Sequence, residues 1–316
     1  MNTSKRTIML VITVALCSHL FAAKYAGEIF RMGAGVRNFA LGNIGVSDVD
    51  ASGLAYWNAA LLHFSNESKF ELMHAEEYAG LLKYDTASAI WGKENKISLV
   101  LTRIGIDNIP LTRLDNPDEP LSNSNRPYKY KSVNNADLVA YLGISRQLGK
   151  YIIGFTPKLA YRHLAEENGF GFGADISTFF QYHNLLVGIK LRDFFTTQIL
   201  WANGTHEIVN PGLDLEANYP LMIPVLNRQS RIFAGAEIYA ENRDTAATLA
   251  FGLLSADFHL GCEILLHPAV HVYLGYDVSD FTTGISLNLH SWQINYAFEH
   301  NTELENSHRI SLGYRL

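Results

Sequence analysis

The chain has 316 residues and a formal net charge of −6, which excludes a basic nucleic-acid-binding surface as its organising feature. Its residues are 48% hydrophobic, with 16 Tyr and 17 Phe. Yet no uninterrupted apolar run of transmembrane-helix length follows residue 25, which excludes a bundle of membrane helices.

The N-terminus has the three parts of a secretory signal. Lys5 and Arg6 are basic, residues 7–16 (TIMLVITVAL) are apolar, and Ala22 and Ala23 are small. The expected signal peptide spans residues 1–23. Cys17 follows the apolar run, but Leu16 before it is not the small residue that a lipid-attachment signal needs.

Residues 24–66 form the next unit. Within it, residues 26–62 (AGEIFRMGAGVRNFALGNIGVSDVDASGLAYWNAALL) are crowded with glycine and alanine and keep neither a period of 2 nor one of 3.6. Small residues let backbones approach closely, so this stretch is expected to be a compact, irregular plug held inside something larger. Gly27, Arg31, Gly33, Gly35, Arg37, Gly42 and Asn58 are its candidate hatch residues.

From residue 67 to 316 the chain alternates apolar and polar residues again and again, as a barrel wall does. Candidate strands lie near 68–76, 81–91, 96–106, 136–147, 150–163, 170–182, 184–195, 213–219, 230–240, 245–255, 257–266, 269–277, 280–289, 291–299 and 308–316. The weakest is 213–219, followed by Pro220 and Pro224, and reading it as loop leaves fourteen. Twelve and sixteen stay open, since such barrels normally have an even count. Several segments run nine to twelve residues, enough to cross a bilayer at a tilt. One face holds large apolar residues. The other mixes glycine with the charges Lys158, Arg162, Asp175, Lys190, Arg192, Glu237 and Glu263, which are expected to face the lumen and to pair there. In residues 170–183 Phe179 interrupts the polar row.

The long polar gap over residues 107–135 is expected to be a surface loop, and the short turns near 92–96 and 148–149 to face the periplasm. Ile310, Leu312, Tyr314 and Leu316 alternate at the very end, which suits a closing strand and a signal for the barrel-assembly machinery. The expected fold is therefore all-β: an antiparallel transmembrane barrel of about fourteen strands in the bacterial outer membrane, with an N-terminal plug.

Searching for chemistry finds no P-loop, GxSxG or HExxH. His259, His267 and His271 cluster in sequence, and Glu263 would share a strand face with His259, but lumen or interface histidines are the expected reading. No enzyme activity, cofactor, metal or nucleic-acid partner is expected.

The stretch at 26–62, together with ELMHAEEYAGLLKYD (71–85), LTRIGIDNIPLTRL (101–114), FGFGADISTFF (170–180), LLVGIKLRD (185–193), residues 259–287 and residues 294–312, resembles the PorV/PorQ family. That family is related to the FadL-type long-chain fatty-acid transporters. The resemblance implies a barrel of about fourteen strands with an N-terminal hatch. Where fatty-acid transporters carry Asn-Pro-Ala in the hatch, this chain has Asn58, Ala59 and Ala60, without the proline. The main functional reading it implies is handling or anchoring of secreted proteins, in a role like type IX secretion, with secretion components or cargo C-terminal domains as partners. The alternative is a passive route for hydrophobic small molecules such as long-chain fatty acids. Outer-membrane lipids are partners in either case.

Overall fold

The computed structural model describes residues 26–93, 95–224, 227–243, 247–301 and 304–316. The expected signal segment lies outside them. Seventeen strands form one sheet, and fourteen of them close a cylinder. In chain order these are β1 (Lys69–Glu77), β2 (Leu82–Trp91), β3 (Ile97–Leu114), β4 (Pro127–Leu148), β5 (Tyr151–Leu164), β6 (Glu167–Tyr182) and β7 (Leu185–Arg192). After them come β8 (Thr197–Trp201), β9 (His206–Val209), β10 (Gly212–Ile223), β11 (Arg228–Tyr239), β12 (Leu249–Phe251) and β13 (Leu254–His267). The last are β14 (Val270–Asp277), β15 (Asp280–Leu289), β16 (Trp292–His300) and β17 (Ser307–Arg315). Neighbours pair antiparallel, β7 pairs β10, β11 pairs β13, and β1 pairs β17 to close the ring. Strands β8, β9 and β12 lie outside the ring as short hairpin arms on β6 and β13.

Alternation is what makes the wall. On β1 the buried residues are Glu71, Met73, Ala75 and Glu77, while Phe70 and Leu72 point outward. The outer face carries a belt of exposed large apolar side chains on strand after strand, such as Phe155, Leu159, Phe172, Leu260 and Leu312. Only a lipid solvent suits such a surface, and a closed cylinder leaves no sheet edge unpaired within it. The architecture is that of a bacterial outer-membrane barrel.

Three expectations about the wall are corrected. Residues 213–219 are not loop but the middle of β10, bonded on both sides. Pro220 is tolerated because pairing with β7 ends at Asn218, so the proline sits where β10 has only β11 beside it. The expected strand 245–255 is not one wall strand, since Leu249–Phe251 forms a tight hairpin onto β13 and residues 254–255 already belong to β13. The gap at 107–135 is mostly strand, because β3 runs to Leu114 and β4 begins at Pro127. Above the membrane the outward side chains need not be apolar, so the alternation that marks a strand is lost. With these changes the two ends differ, although two-residue turns also occur at the extracellular end, at 165–166 and 278–279. Turns such as Gly149–Lys150, His183–Asn184 and His290–Ser291 are two residues long. The arms β8, β9 and β12 and the β3–β4 hairpin all lie at the opposite, extracellular end.

Residues 26–64 run through the interior. They form a short helix Val36–Ala40, another at Leu54–Trp57, and 3-10 turns at Glu28–Phe30 and Ala59–Phe64. Ala40, Leu41, Ile44, Leu54, Ala60 and Leu61 are fully buried. The segment touches walls all round: Tyr84 on β2 donates to Gly33 O, Ser98 on β3 accepts from Ala55 N–H, and Thr282 on β15 donates to Ala40 O. At the closest approaches the wall residue is glycine. A Cβ at Gly188 would lie 2.0 Å from Val46 O, and one at Gly275 2.1 Å from Gly42 N. Phe179, which interrupts the polar row of β6, turns inward onto Phe64, with ring centroids 4.7 Å apart.

Candidate functional site in the barrel lumen

Two kinds of wall enclose the N-terminal segment. One is ionic. Arg37, on the Val36–Ala40 helix, is carried into the centre after Gly35, whose φ of 87° favours glycine. Its Nε lies 2.7 Å from Asp48 Oδ2 and its Nη1 2.6 Å from Glu263 Oε1, and Nη1 also donates to the Tyr273 hydroxyl at 3.0 Å. Glu263 is a hub, also accepting from Arg231 Nε at 2.9 Å and contacting His271 Nδ1 at 2.8 Å. Arg231 reaches on to Asp50 in the N-terminal segment. Crowding by surrounding protein works against the charge on Asp50. Arg231 and Arg37 outweigh it and hold the carboxyl down at about 2. Lys69 completes this periplasmic end by donating to Asp50 O and Ala51 O at 2.9 and 2.7 Å.

Each of the other wall charges named in the sequence has a partner. Lys158 bridges Asp175 (2.8 Å) and Asp193 (2.6 Å), and Lys190 donates to Tyr56 O at 2.5 Å. Arg192 lies between Asp214 (3.0 Å) and Glu237 (3.2 Å), and Arg162 pairs with Asp137 at 2.9 Å. Among these charges only Glu263 binds an arginine of the segment. Arg31 pairs with Glu28 at 3.1 Å and with Glu241, just beyond β11, at 3.6 Å, and stacks over Tyr239. Buried charges of this kind are tolerated because they are paired.

The remaining segment residues have structural contacts. Gly33 is clasped between Tyr56 and Tyr84, Gly42 packs on the backbones of Leu260 and Tyr276, and Gly27 faces Val209. Asn58 caps the Ala59–Phe64 turn by accepting from Ala60 N–H, and its amide donates to Val46 O and Thr178 O. The cap supplies the ordering that a proline at position 59 would otherwise provide. Ile310, Leu312 and Tyr314 lie on the outer face of β17, with Tyr314 edge-on to Trp292, and Leu316 N–H donates to Ser68 O.

Sequence reading missed Asp48, Arg231 and the polar row of β10. Glu216 accepts from the Gly45 and Ser47 N–H groups at 3.1 and 2.9 Å, and Asn218 donates to Ser47 O at 2.5 Å. The signal was the strict alternation Leu213-Asp214-Leu215-Glu216-Ala217-Asn218. His259 contacts Asp277 and Gly42 O instead of joining His271. Among the described residues no group of three or more His, Cys, Asp or Glu is placed to hold a metal ion.

The second wall is mixed. On β2–β5 and the β8–β9 arm the buried inward residues Tyr84, Ile104, Val139, Tyr141, Ala160 and Ile199 lie among Thr86, Ser88, Ser98, Thr102, Asp137, Thr156 and Lys158. Behind this wall, on the lipid side, Leu101, Leu138, Ala140, Leu159, Tyr161 and Phe170 line a groove of about 320 Å³ that reaches inward to Val139 and Ala160. The β4–β5 ladder is interrupted close by. Pairing skips Leu142–Gly143 opposite Thr156–Pro157, where proline supplies no N–H. On the lumen side of this gap Gly143 has no side chain and packs on Ala55.

No protein-family model matches the chain, and no curated protein matches it. Solved structures do. The Pseudomonas putida toluene transporter TodX aligns with a TM-score of 0.58 at 10% identity, over 94% of this chain and 99% of that one. The Ralstonia pickettii toluene transporter TbuX gives 0.55 at 10% identity, over 90% and 98%. The monoaromatic hydrocarbon channel CymD gives 0.52 at 11% identity, over 90% and 97%. This chain shares the fold of outer-membrane channels and transporters along their whole length.

Proposed function

We propose that the protein is a FadL-like outer-membrane conduit for small apolar molecules, with residues 24–66 as its hatch. The observation that carries this reading is the apolar groove on the lipid face of β3–β6, which lies two residues along β4 and β5 from the interruption of their ladder. Groove and gap lie on the same pair of strands, and the buried apolar residues Val139 and Ala160 stand behind the groove. An apolar solute dissolves in such a groove, whose inner side is formed by Thr102, Val139 and Ala160. The similarity in fold to the toluene and monoaromatic hydrocarbon channels supports the same reading, and favours it over the secretion-linked one implied by the PorV/PorQ resemblance.

The test is the rate at which the apolar dye N-phenylnaphthylamine enters intact cells that carry a lipopolysaccharide outer leaflet. Cells producing the protein are expected to take up dye severalfold faster than cells without it, and Ala140→Trp, which fills the groove, is expected to return uptake to the background rate. No acceleration, together with a stoichiometric protein partner recovered by mild crosslinking, would overturn the conduit in favour of a secretion role.

A further inference from the structure

The outer wall of β1–β3 breaks the apolar belt. On β1 the outward residues above Leu72 are His74 and Glu76, on β2 those above Ala87 are Asp85 and Lys83, and on β3 the one above Leu101 is Arg103. His74, Asp85 and Arg103 occupy one row across the three strands. They form an outward network, with His74 Nδ1 2.6 Å and Arg103 Nη1 3.2 Å from the Asp85 carboxylate. Lys83 pairs with Asp107 at 2.9 Å. In the same row the neighbouring strands carry Ile310 on β17 and Leu138 on β4.

Below this row only three outward rows are apolar: Leu72–Ala87–Leu101, Phe70–Ala89–Leu99 and Trp91–Ile97. That is about six residues, or ~15 Å of height at 3.3 Å per residue and a tilt of ~40°. On β5 the outward apolar residues run from Tyr151 to Tyr161, which gives ~28 Å by the same rule, close to the ~25 Å that such barrels usually show. The β1–β2 hairpin has no taller rim to carry the missing apolar rows, because the chain turns back at residues 78–81.

We infer that the bilayer is locally thinned against the β1–β3 wall, and that phosphorylated headgroups of the outer leaflet descend onto the His74–Asp85–Arg103 row. Charges in contact with hydrocarbon are costly, whereas thinning a bilayer to meet a short belt costs little per ångström. Arg103 and Lys83 keep N–H groups beyond their carboxylate partners, and these suit phosphate oxygens. The thinned sector adjoins the groove on β3–β5, although the inference does not depend on transport.

The test places a nitroxide label on single cysteines in the full-length chain with Cys17→Ala and Cys262→Ala, folded into vesicles of phosphatidylethanolamine, phosphatidylglycerol and lipid A. Depth is read from the ratio of oxygen to water-soluble nickel accessibility. His74→Cys is expected to read at headgroup level and Leu159→Cys deep in hydrocarbon. Ala87→Cys, an outward alanine one row below Asp85, is expected to read within one row of the headgroups and keeps the test open if the His74 variant does not fold. Labels at 74 and 87 as deep as the one at 159 would overturn thinning. Labels shielded from both oxygen and nickel would overturn it in favour of a protein covering this wall.

Discussion

Arg37 and Glu263, 226 positions apart, form a two-pronged ion pair, with Nη1 and Nη2 lying 2.6 and 3.0 Å from the two carboxylate oxygens. The same guanidinium holds Asp48 of its own segment. One buried side chain therefore ties the internal loop to itself and to the wall, and Glu263 extends the tie to Arg231 and His271.

Arg37→Ala is expected to leave Asp48 and Glu263 buried without their main partner, at a cost of about 3–5 kcal/mol. The barrel still forms, so the unboiled protein keeps its fast mobility in SDS gels. Apolar dye uptake is expected to rise at least severalfold, and trypsin to cut within residues 26–64. Unchanged uptake and protection would show that the pair does not hold the hatch.

Gly275→Val and Gly188→Val are expected to block seating of the N-terminal segment, since the first atom of either side chain collides with its backbone. Gly313→Ala is the control, as its Cβ would meet nothing nearer than 3.5 Å. The readout is protease accessibility of residues 26–64 in heat-modifiable barrels. Protected valine variants would contradict the backbone-to-backbone contact described above.

Pro157→Thr supplies the N–H missing from the β4–β5 ladder, and is expected to strengthen the seam by about 1 kcal/mol. A higher temperature of the gel-mobility shift together with slower dye uptake is the expected outcome. A stronger barrel with unchanged uptake would separate the seam from transport.

Acid is expected to leave the periplasmic latch closed over the ordinary range. Asp50, lowered from 3.8 to about 2, contributes stability that is fully present above its unfolded value and is lost only as pH falls through about 2. Dye uptake measured at pH 7 and pH 5 is therefore expected to agree, whereas Asp50→Asn is expected to raise it modestly at both.

The membrane-spanning wall was legible because lipid imposes a period of two on every strand it touches, as in residues 151–161. Where lipid is absent the period fades, which hid the upper halves of β3 and β4. Composition misled at two places. Pro220 and Pro224 made β10 look like loop, although the proline sits on a side with no neighbour to bond. The apolar run near residue 250 looked like wall, although it folds into a short arm. The glycines, Arg37 and Glu263 stood out individually. Their meeting did not, since nothing in the spacing of 37, 48, 231 and 263 announces a shared centre. Only the ring closure of β1 on β17, with the chain folded inside, brings these residues together.

That placement also dictates an order of assembly. The segment precedes the wall in the chain, yet two of its anchors come late: Thr282 bonds Ala40 across 242 positions, and Arg309 bonds Met32 across 277. A cylinder sealed early, with the segment outside, would have to reopen between β1 and β17 to admit it. The final strand is thus both the stave that completes the wall and the moment of capture. Folding becomes a slow, non-local event in which loss of β17 leaves residues 26–64 without a closed wall around them.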